Sequence, residues 1–529
     1  MKIVLISLYD EYCLGIRYLS SYLKSQNHSV YKVYLKLLKD TQDWRDGQIM
    51  PPDDNGYYIS PCWISEKELN FLYEVIGEIA PEIVGISFTS NFSGLAIRLT
   101  QDIKTRYLNI ITIWGGIDTI YNPEIAIKYA DFICVGEGEY AFAELCERLE
   151  KGERFPTVEG LWTKRDTKEI IKTSPRKLEQ NIDKFPFPDM DFTNDYFIRN
   201  EQCLKGELPS DSSIPGTLFV ISQRGCPHSC TYCCYYGLKE MYKGQKVLRR
   251  RSLKNFLDEL IQLKEKFSQV HTIEIWDDVF AIDSDWCLEF AIEYREKVGI
   301  RFACYVSPLY CEKSVLKALK EAGLFFTTLG VQSGSERVLN QIYNRRTKRE
   351  QILKAAKTLN ELGLIYVIDL IAYNPLEKEE DYLQTLDLLT RLPKPFRINT
   401  INPMSFYMNY EITNIALRES IELVKSESAN KFLQTVTEEQ KFWDYLLTLA
   451  QFDIEKDTLF KLVDDRFLRE NPDVLKGVVE GFMKERFIDG NIASVMKNER
   501  IKELEANMGQ LLSSRRYKLA NIIAKLFGK

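Results

Sequence analysis

Histidine is the scarcest chemistry-bearing residue in this chain, with three among 529 residues. Any role that needs an imidazole therefore falls to His28, His228 or His271. No apolar run approaches the roughly 18 residues of a membrane span. The opening "MKIVLISLYDEY" is interrupted by Asp10 and Glu11, so it reads as a first strand rather than a signal peptide. A basic excess is also missing: 70 Lys and Arg stand against 76 Asp and Glu, a net charge of -6. That balance argues against nucleic acid as the partner. The first βα turn, "SLYDEYCLG", lacks a glycine-rich phosphate fingerprint, which argues against a nicotinamide cofactor. There is no short-period repeat and no low-complexity segment.

What is present is an ordinary globular composition, 45% hydrophobic and 28% charged, in a chain too long for one core. Strand-length apolar runs begin at Ile3, Ser29, Ile83, Ile110 and Phe132, and helically spaced residues such as Ile16, Leu19 and Leu23 lie between most of them. This predicts an α/β fold that starts with a doubly wound parallel sheet over 1–150. The polar stretch from Leu35 to about Ser65 reads as an insertion, and the Pro-rich 151–215 as a linker with one hairpin. Alternation resumes with strands at Thr217, Thr272, Phe302, Phe325, Ile365 and Arg397, which predicts a partial (β/α)6 barrel over 216–425 with its site at the strand C-termini. From about Glu427 the period is helical, giving a C-terminal region over 426–529.

The first barrel strand is followed by "QRGCPHSCTYCCYYG", in which Cys226, Cys230 and Cys233 form C-x3-C-x2-C. Twelve cysteines in a chain expected in a reducing cytosol point to metal or redox chemistry rather than disulfides. Structural zinc wants four ligands, and the fourth here would be Cys234 or His228, each crowded against the other three. Three thiolates are better matched to a 4Fe-4S cluster with one iron open.

With Tyr232 between the last two cysteines, this spacing resembles the radical S-adenosylmethionine (SAM) superfamily. The resemblance implies that SAM chelates the open iron and is cleaved there to a 5'-deoxyadenosyl radical. It places Asp277 and Asp278 of "EIWDDVFAID" near the SAM amino group, and Gln332, Ser333 and Ser335 of "LGVQSGSERVL" near its ribose and methionyl part. In "DLIAYNPLEKEE", Asn374 and Pro375 stand where Gly-x-Pro is commoner, so an adenosine contact by Asn374 rests on a variant of the pattern.

"WGGIDTIYNPE" and "ADFICVGEGEY" resemble the cobalamin (B12)-binding domain fused to the branch that contains a chlorophyll-ring cyclase and hopanoid methylases. Gly15, Ser87, Thr89, Gly115, Gly116, Gly136, Glu137 and Gly138 are the expected cobalamin contacts. Where many such domains carry D-x-H-x-x-G, this chain has Asp10 and Glu11, and Asp118 replaces the histidine of Gly-Gly-x-His. Cobalamin is therefore expected without a histidine on its lower face.

The resemblance implies a cobalamin-dependent radical SAM enzyme that methylates an unactivated carbon of a small molecule, lipid or natural-product intermediate. One SAM would methylate cobalt and a second would yield the radical. A radical cyclase or oxidase, or a non-enzymatic iron-sulfur sensor, is the alternative. An electron donor of flavodoxin or ferredoxin type is implied as partner. Near the end, "LLSSRRYKLANIIAKLFGK" has the pattern of a basic amphipathic helix, read as a docked terminal helix with peripheral membrane contact as the alternative.

Overall fold

The computed structural model describes residues 1–36, 64–164, 169–210, 212, 214 and 216–487. The expected insertion lies largely outside the described residues, and the basic terminal helix lies wholly outside them.

The first unit is built on β1 (Lys2–Leu8), β2 (Ser29–Leu35), β3 (Ile83–Ser87), β4 (Ile111–Gly115) and β5 (Phe132–Cys134). These pair in parallel in the order β5-β4-β3-β1-β2. Their runs are apolar at nearly every position because helices cover both faces: Val4, Ile6 and Val84 enter one core, Ile3, Leu5 and Ile83 the other. The strand order reverses between β1 and β3, which opens a crevice beyond their C-terminal ends.

The segment expected as a linker is instead part of this sheet. β6 (Leu161–Lys164) and β7 (Ile170–Ile171) extend it antiparallel beyond β5, while β8 (Asp195–Arg199) pairs in parallel with β2 and carries antiparallel β9 (Gln202–Lys205). A buried ionic network fixes β8: the Lys32 ammonium reaches Asp189 at 2.6 Å and Asp195 at 3.2 Å, and Lys24 reaches Asp189 at 2.8 Å. Polar residues thus hold an edge that apolar patterning does not announce.

The second unit starts with β10 (Thr217–Val220), after which β11 (Gln223–Arg224) and β12 (Arg249–Arg250) form a short antiparallel pair around the cysteine loop. β13 (Thr272–Ile275), β14 (Phe302–Val306), β15 (Leu324–Gln332), β16 (Ile365–Ala372) and β17 (Arg397–Pro403) complete a six-stranded parallel sheet in sequential order, an open partial barrel. Leu218, Ile273, Cys304, Leu329 and Ile368 face the surrounding helices, and Phe219, Glu274, Tyr305 and Asp369 have the opposite, lumenal parity.

The C-terminal region is not helical from its start. Phe406–Tyr407, Lys431–Leu433 and Val424–Lys425 make a small antiparallel sheet. The helix Glu438–Leu449 then packs into the barrel's core: Trp443 stacks on Tyr382 at 5.2 Å, and Phe442 and Leu446 are fully buried. Beyond that helix, Gln451 accepts a hydrogen bond from the Ile398 amide of β17, at the barrel's open edge.

Candidate functional site

The cysteine loop leaves β10 at the barrel mouth and is stitched down at both ends. Gly225 has φ +98°, and a Cβ there would lie 2.5 Å from the Val247 carbonyl oxygen, so glycine is required. Lys239 Nζ donates to the carbonyls of Pro227 (3.0 Å) and His228 (2.8 Å). Thr231 donates through N–H to Tyr343 O (3.1 Å) and through Oγ1 to Ile342 O (2.6 Å). Cys226 and Cys230 are buried and Cys233 half-buried.

Burial, with Asp278 and the other two thiols nearby, pushes the Cys226 thiol up to about 12. The adjoining Cys234 thiol holds Cys233 below the ordinary thiol range through a hydrogen bond. Among the described residues, no three His, Cys, Asp or Glu side chains are gathered closely enough to hold a single metal ion. An iron-sulfur cluster spaces its thiolates further apart. The donor set fits such a cluster, and a buried cation beside it strengthens the fit. Arg345 Nη1 lies 3.8 Å from Cys230 Sγ and donates to the Tyr232 hydroxyl at 3.0 Å, while Nη2 donates to Gly330 O at 2.8 Å. Its Nε is buried without a partner. Sequence reading missed Arg345, which lies 115 residues beyond the thiol it approaches.

The residues expected around SAM divide in two. Gln332, at φ +70°, and Ser333 line a small pocket with Ala372, Tyr373, Glu377 and Asp444. Burial pushes the Glu377 carboxyl up to about 8, and the Ser333 hydroxyl donates to it at 3.1 Å. Asp278 is exposed, yet the surrounding protein pushes its carboxyl up to about 6 against a hydrogen bond with the Tyr235 hydroxyl. Tyr232 is held by Arg345.

Asp277, Ser335 and Asn374 are already committed elsewhere. Asp277 accepts from the amides of Ser222 (2.7 Å) and Gln223 (3.2 Å) and from the Ser222 hydroxyl, so it fixes the start of the cysteine loop. Ser335, with no exposed surface, bonds Asp381, and Asn374, equally buried, donates to the Tyr343 hydroxyl at 3.0 Å and accepts from the Leu376 amide. The hydrogen bonds of these three tie down the loops around the site.

Ser87 and Gly115 end β3 and β4, Thr89 and Gly116 follow them, and Gly15 opens the helix after β1 (Leu14–Ser25), so all five stand at the C-terminal edge of the first sheet. A Cβ at Gly15 or Gly115 would meet nothing within 4 Å, so these glycines border open space. That opening fits a large planar group. Gly116 (φ +95°) is needed on packing grounds as well, since a Cβ would sit 2.5 Å from Phe88 O.

In the turn Gly136–Glu137–Gly138, also expected at the cobalamin site, Gly136 and Glu137 pack the first unit on the barrel. Glu137 pairs with Arg249 through both Nη atoms and with Arg224 at 3.6 Å, and a Cβ on Gly136 would lie 2.2 Å from the Tyr242 hydroxyl. Asp118 is likewise buried, accepting from Asn122 (2.9 Å) and Asn430 (3.0 Å).

The three histidines all lie elsewhere. His28 sits 3.3 Å from the chain's amino group, at the opposite end of the sheet; His228 bonds Ser307 at 3.0 Å, and His271 bonds Thr272 at 3.0 Å. In the loop after β1, Asp10 accepts from the Tyr12 and Cys13 amides, and Glu11 pairs with Arg199 at 3.2 Å.

The two units converge on one place. The hydroxyl of Tyr121, in the short helix Ile117–Tyr121 that follows Gly116, donates to Cys234 O at 2.9 Å and accepts from the Gly237 amide at 2.9 Å. Tyr12 reaches from the loop after β1 onto Phe219 (4.0 Å between centroids), which packs on Trp276 (4.2 Å). Trp276 is 39% exposed and Tyr305 38%, and Trp276 Nε1 donates to Glu274 at 3.1 Å. The barrel lumen therefore has an aromatic wall beneath the crevice.

Residues 220–389 match the family profile described as "Radical SAM superfamily". The chain is 27% identical over 360 residues to an uncharacterized methyltransferase of Pyrococcus horikoshii, covering 66% of this chain and 73% of that protein. It is 25% identical over 381 residues to the cytidylyl-2-hydroxyethylphosphonate methyltransferase of Streptomyces wedmorensis, covering 67% of each. In fold it is similar to the solved structure of OxsB, a cobalamin-dependent S-adenosylmethionine radical enzyme with aqua-cobalamin and S-adenosylmethionine bound, at TM-score 0.65 and 17% identity, covering 100% of this chain and 83% of that one.

Proposed function

We propose, from the radical SAM match over residues 220–389 and the two-unit fold shared with a cobalamin-dependent radical enzyme, that this chain methylates an unactivated carbon of a small molecule, lipid or natural-product intermediate. It is an enzyme, and the cofactor set of its family is a 4Fe-4S cluster, SAM and cobalamin. Bound together, these supply one-electron cleavage of a sulfonium and a transferable methyl group.

The observation that carries the reading is the junction at Tyr121, which joins the Gly115–Gly116 crevice to the cysteine loop by 2.9 Å hydrogen bonds. Cys226, Cys230 and Cys233 would hold the cluster. Asp278, Gln332 and Ser333 would orient the sulfonium donor, and Gly15, Ser87, Thr89, Gly115 and Gly116 would leave room for the corrin. Tyr12, Phe219 and Trp276 wall the lumen, excluding water from the space where a substrate carbon would lie. Glu274 and Tyr305 supply its polar contacts. Electrons would come from a donor of flavodoxin or ferredoxin type.

The experiment is turnover with SAM carrying an isotopically labelled methyl group and the substrate indicated by neighbouring genes. Label in the product supports methylation. An unlabelled product formed along with 5'-deoxyadenosine would replace it by a radical cyclase or oxidase.

A further inference from the structure

The buried guanidinium at the barrel mouth does more than fill space. Arg345 is 8% exposed, and its neighbours are the Tyr232 hydroxyl, the Gly330 carbonyl and the Cys230 sulfur. None of the three is a carboxylate, and among the described residues no carboxylate forms an ion pair with Arg345. A desolvated cation with no anionic partner is costly. The cost is offset when a thiolate-bound cluster carries negative charge at that sulfur. Arginine stays protonated at any working pH, so this charge is permanent.

We propose that Arg345 is a positioning residue that directs an N–H at Cys230 and raises the reduction potential of the cluster held by Cys226, Cys230 and Cys233. Reduction adds negative charge to cluster and thiolates, and a fixed positive charge 3.8 Å from one sulfur favours the reduced form. The geometry also explains Gly330: a Cβ there would lie 2.6 Å from Arg345 Nη2, so any larger residue displaces the guanidinium without removing its charge.

The inference rests on the cluster and is independent of methyl transfer. Iron uptake by the unaltered full-length chain tests the cluster, and the potential tests the inference. The experiment is a potentiometric titration of the anaerobically reconstituted chain, followed by electron paramagnetic resonance with no SAM added. Arg345→Gln should keep its full iron content and shift the midpoint to more negative potential. Gly330→Ala should shift it the same way by less, and Arg345→Lys should recover part of the change. A fully loaded Arg345→Gln at the unaltered midpoint would overturn the proposal. If Arg345→Gln takes up no iron, a loaded Gly330→Ala with an unshifted midpoint would overturn it equally.

Discussion

Glu137 separates a docking role from a cofactor contact, and its removal is the sharpest structural perturbation available. Its carboxylate is 27% exposed, facing Arg249 (3% exposed) and Arg224 (16%) across the junction of the two units. Removing one partner of a buried pair costs about 3–5 kcal/mol, because the other charge stays buried and unpaired. Here part of that cost is relieved. Arg224 keeps Glu139 at 2.6 Å, and Arg249 keeps the Glu179 carbonyl at 2.9 Å. Glu137→Ala should therefore destabilise by about 2–3 kcal/mol. Because two units unfold, the measurement is a urea titration in which fluorescence and circular dichroism are compared for coincidence. The double variant Glu137→Ala/Arg249→Ala should lose less than the sum of the singles, with a coupling of about 1–3 kcal/mol. Glu137→Gln, which keeps a hydrogen-bonding side chain, should leave cobalamin affinity within about twofold, or roughly 0.4 kcal/mol. Additive losses in the double variant, or a tenfold loss of cobalamin by a stably folded Glu137→Gln, would refute the docking role.

Gly136→Ala should cost about 1–3 kcal/mol, since φ is +129° and the new Cβ meets the Tyr242 hydroxyl; Tyr242→Phe should rescue only the steric part, read from thermal melting. Cys234→Ala should retain four irons after reconstitution, whereas Cys230→Ala should lose the cluster spectrum and SAM cleavage together. Glu377 has its folded pKa raised to about 8 from an ordinary 4.5. The native state therefore keeps a proton there that the unfolded chain gives up, and stability should fall as pH rises from about 4.5 through 8. Glu377→Gln should flatten that fall, which is worth a few kcal/mol at most, and equal slopes in the two proteins would contradict it. Cob(II)alamin bound to the chain should show no splitting from a histidine nitrogen in its paramagnetic resonance spectrum, as no histidine stands in the loop after β1 and the three present bond Met1, Ser307 and Thr272.

The eleven main strands were legible because each is a strand-length apolar run, and parallel sheets covered on both faces leave that signature. β6 to β9 were not. They are two to five residues long, lie at sheet edges, and stand among prolines and charges; β8 is held by Lys32 and Asp195, a pairing across 163 residues that no local pattern reveals. In the site, the cysteine loop was legible from spacing alone. The roles of Asp277, Ser335 and Asn374 were not, since a polar side chain at a strand end reads the same whether it faces a ligand or ties down a loop. The ion pairs of Glu137 are equally hidden from local pattern, because Arg224 and Arg249 belong to the other unit.

Methyl transfer by a radical route fixes the ratio of two by-products. With the substrate indicated by neighbouring genes, each methylated product should be accompanied by one S-adenosylhomocysteine and one 5'-deoxyadenosine, quantified together over a time course, and Cys226→Ala should stop formation of the 5'-deoxyadenosine. Product and 5'-deoxyadenosine rising together without matching S-adenosylhomocysteine would contradict the account.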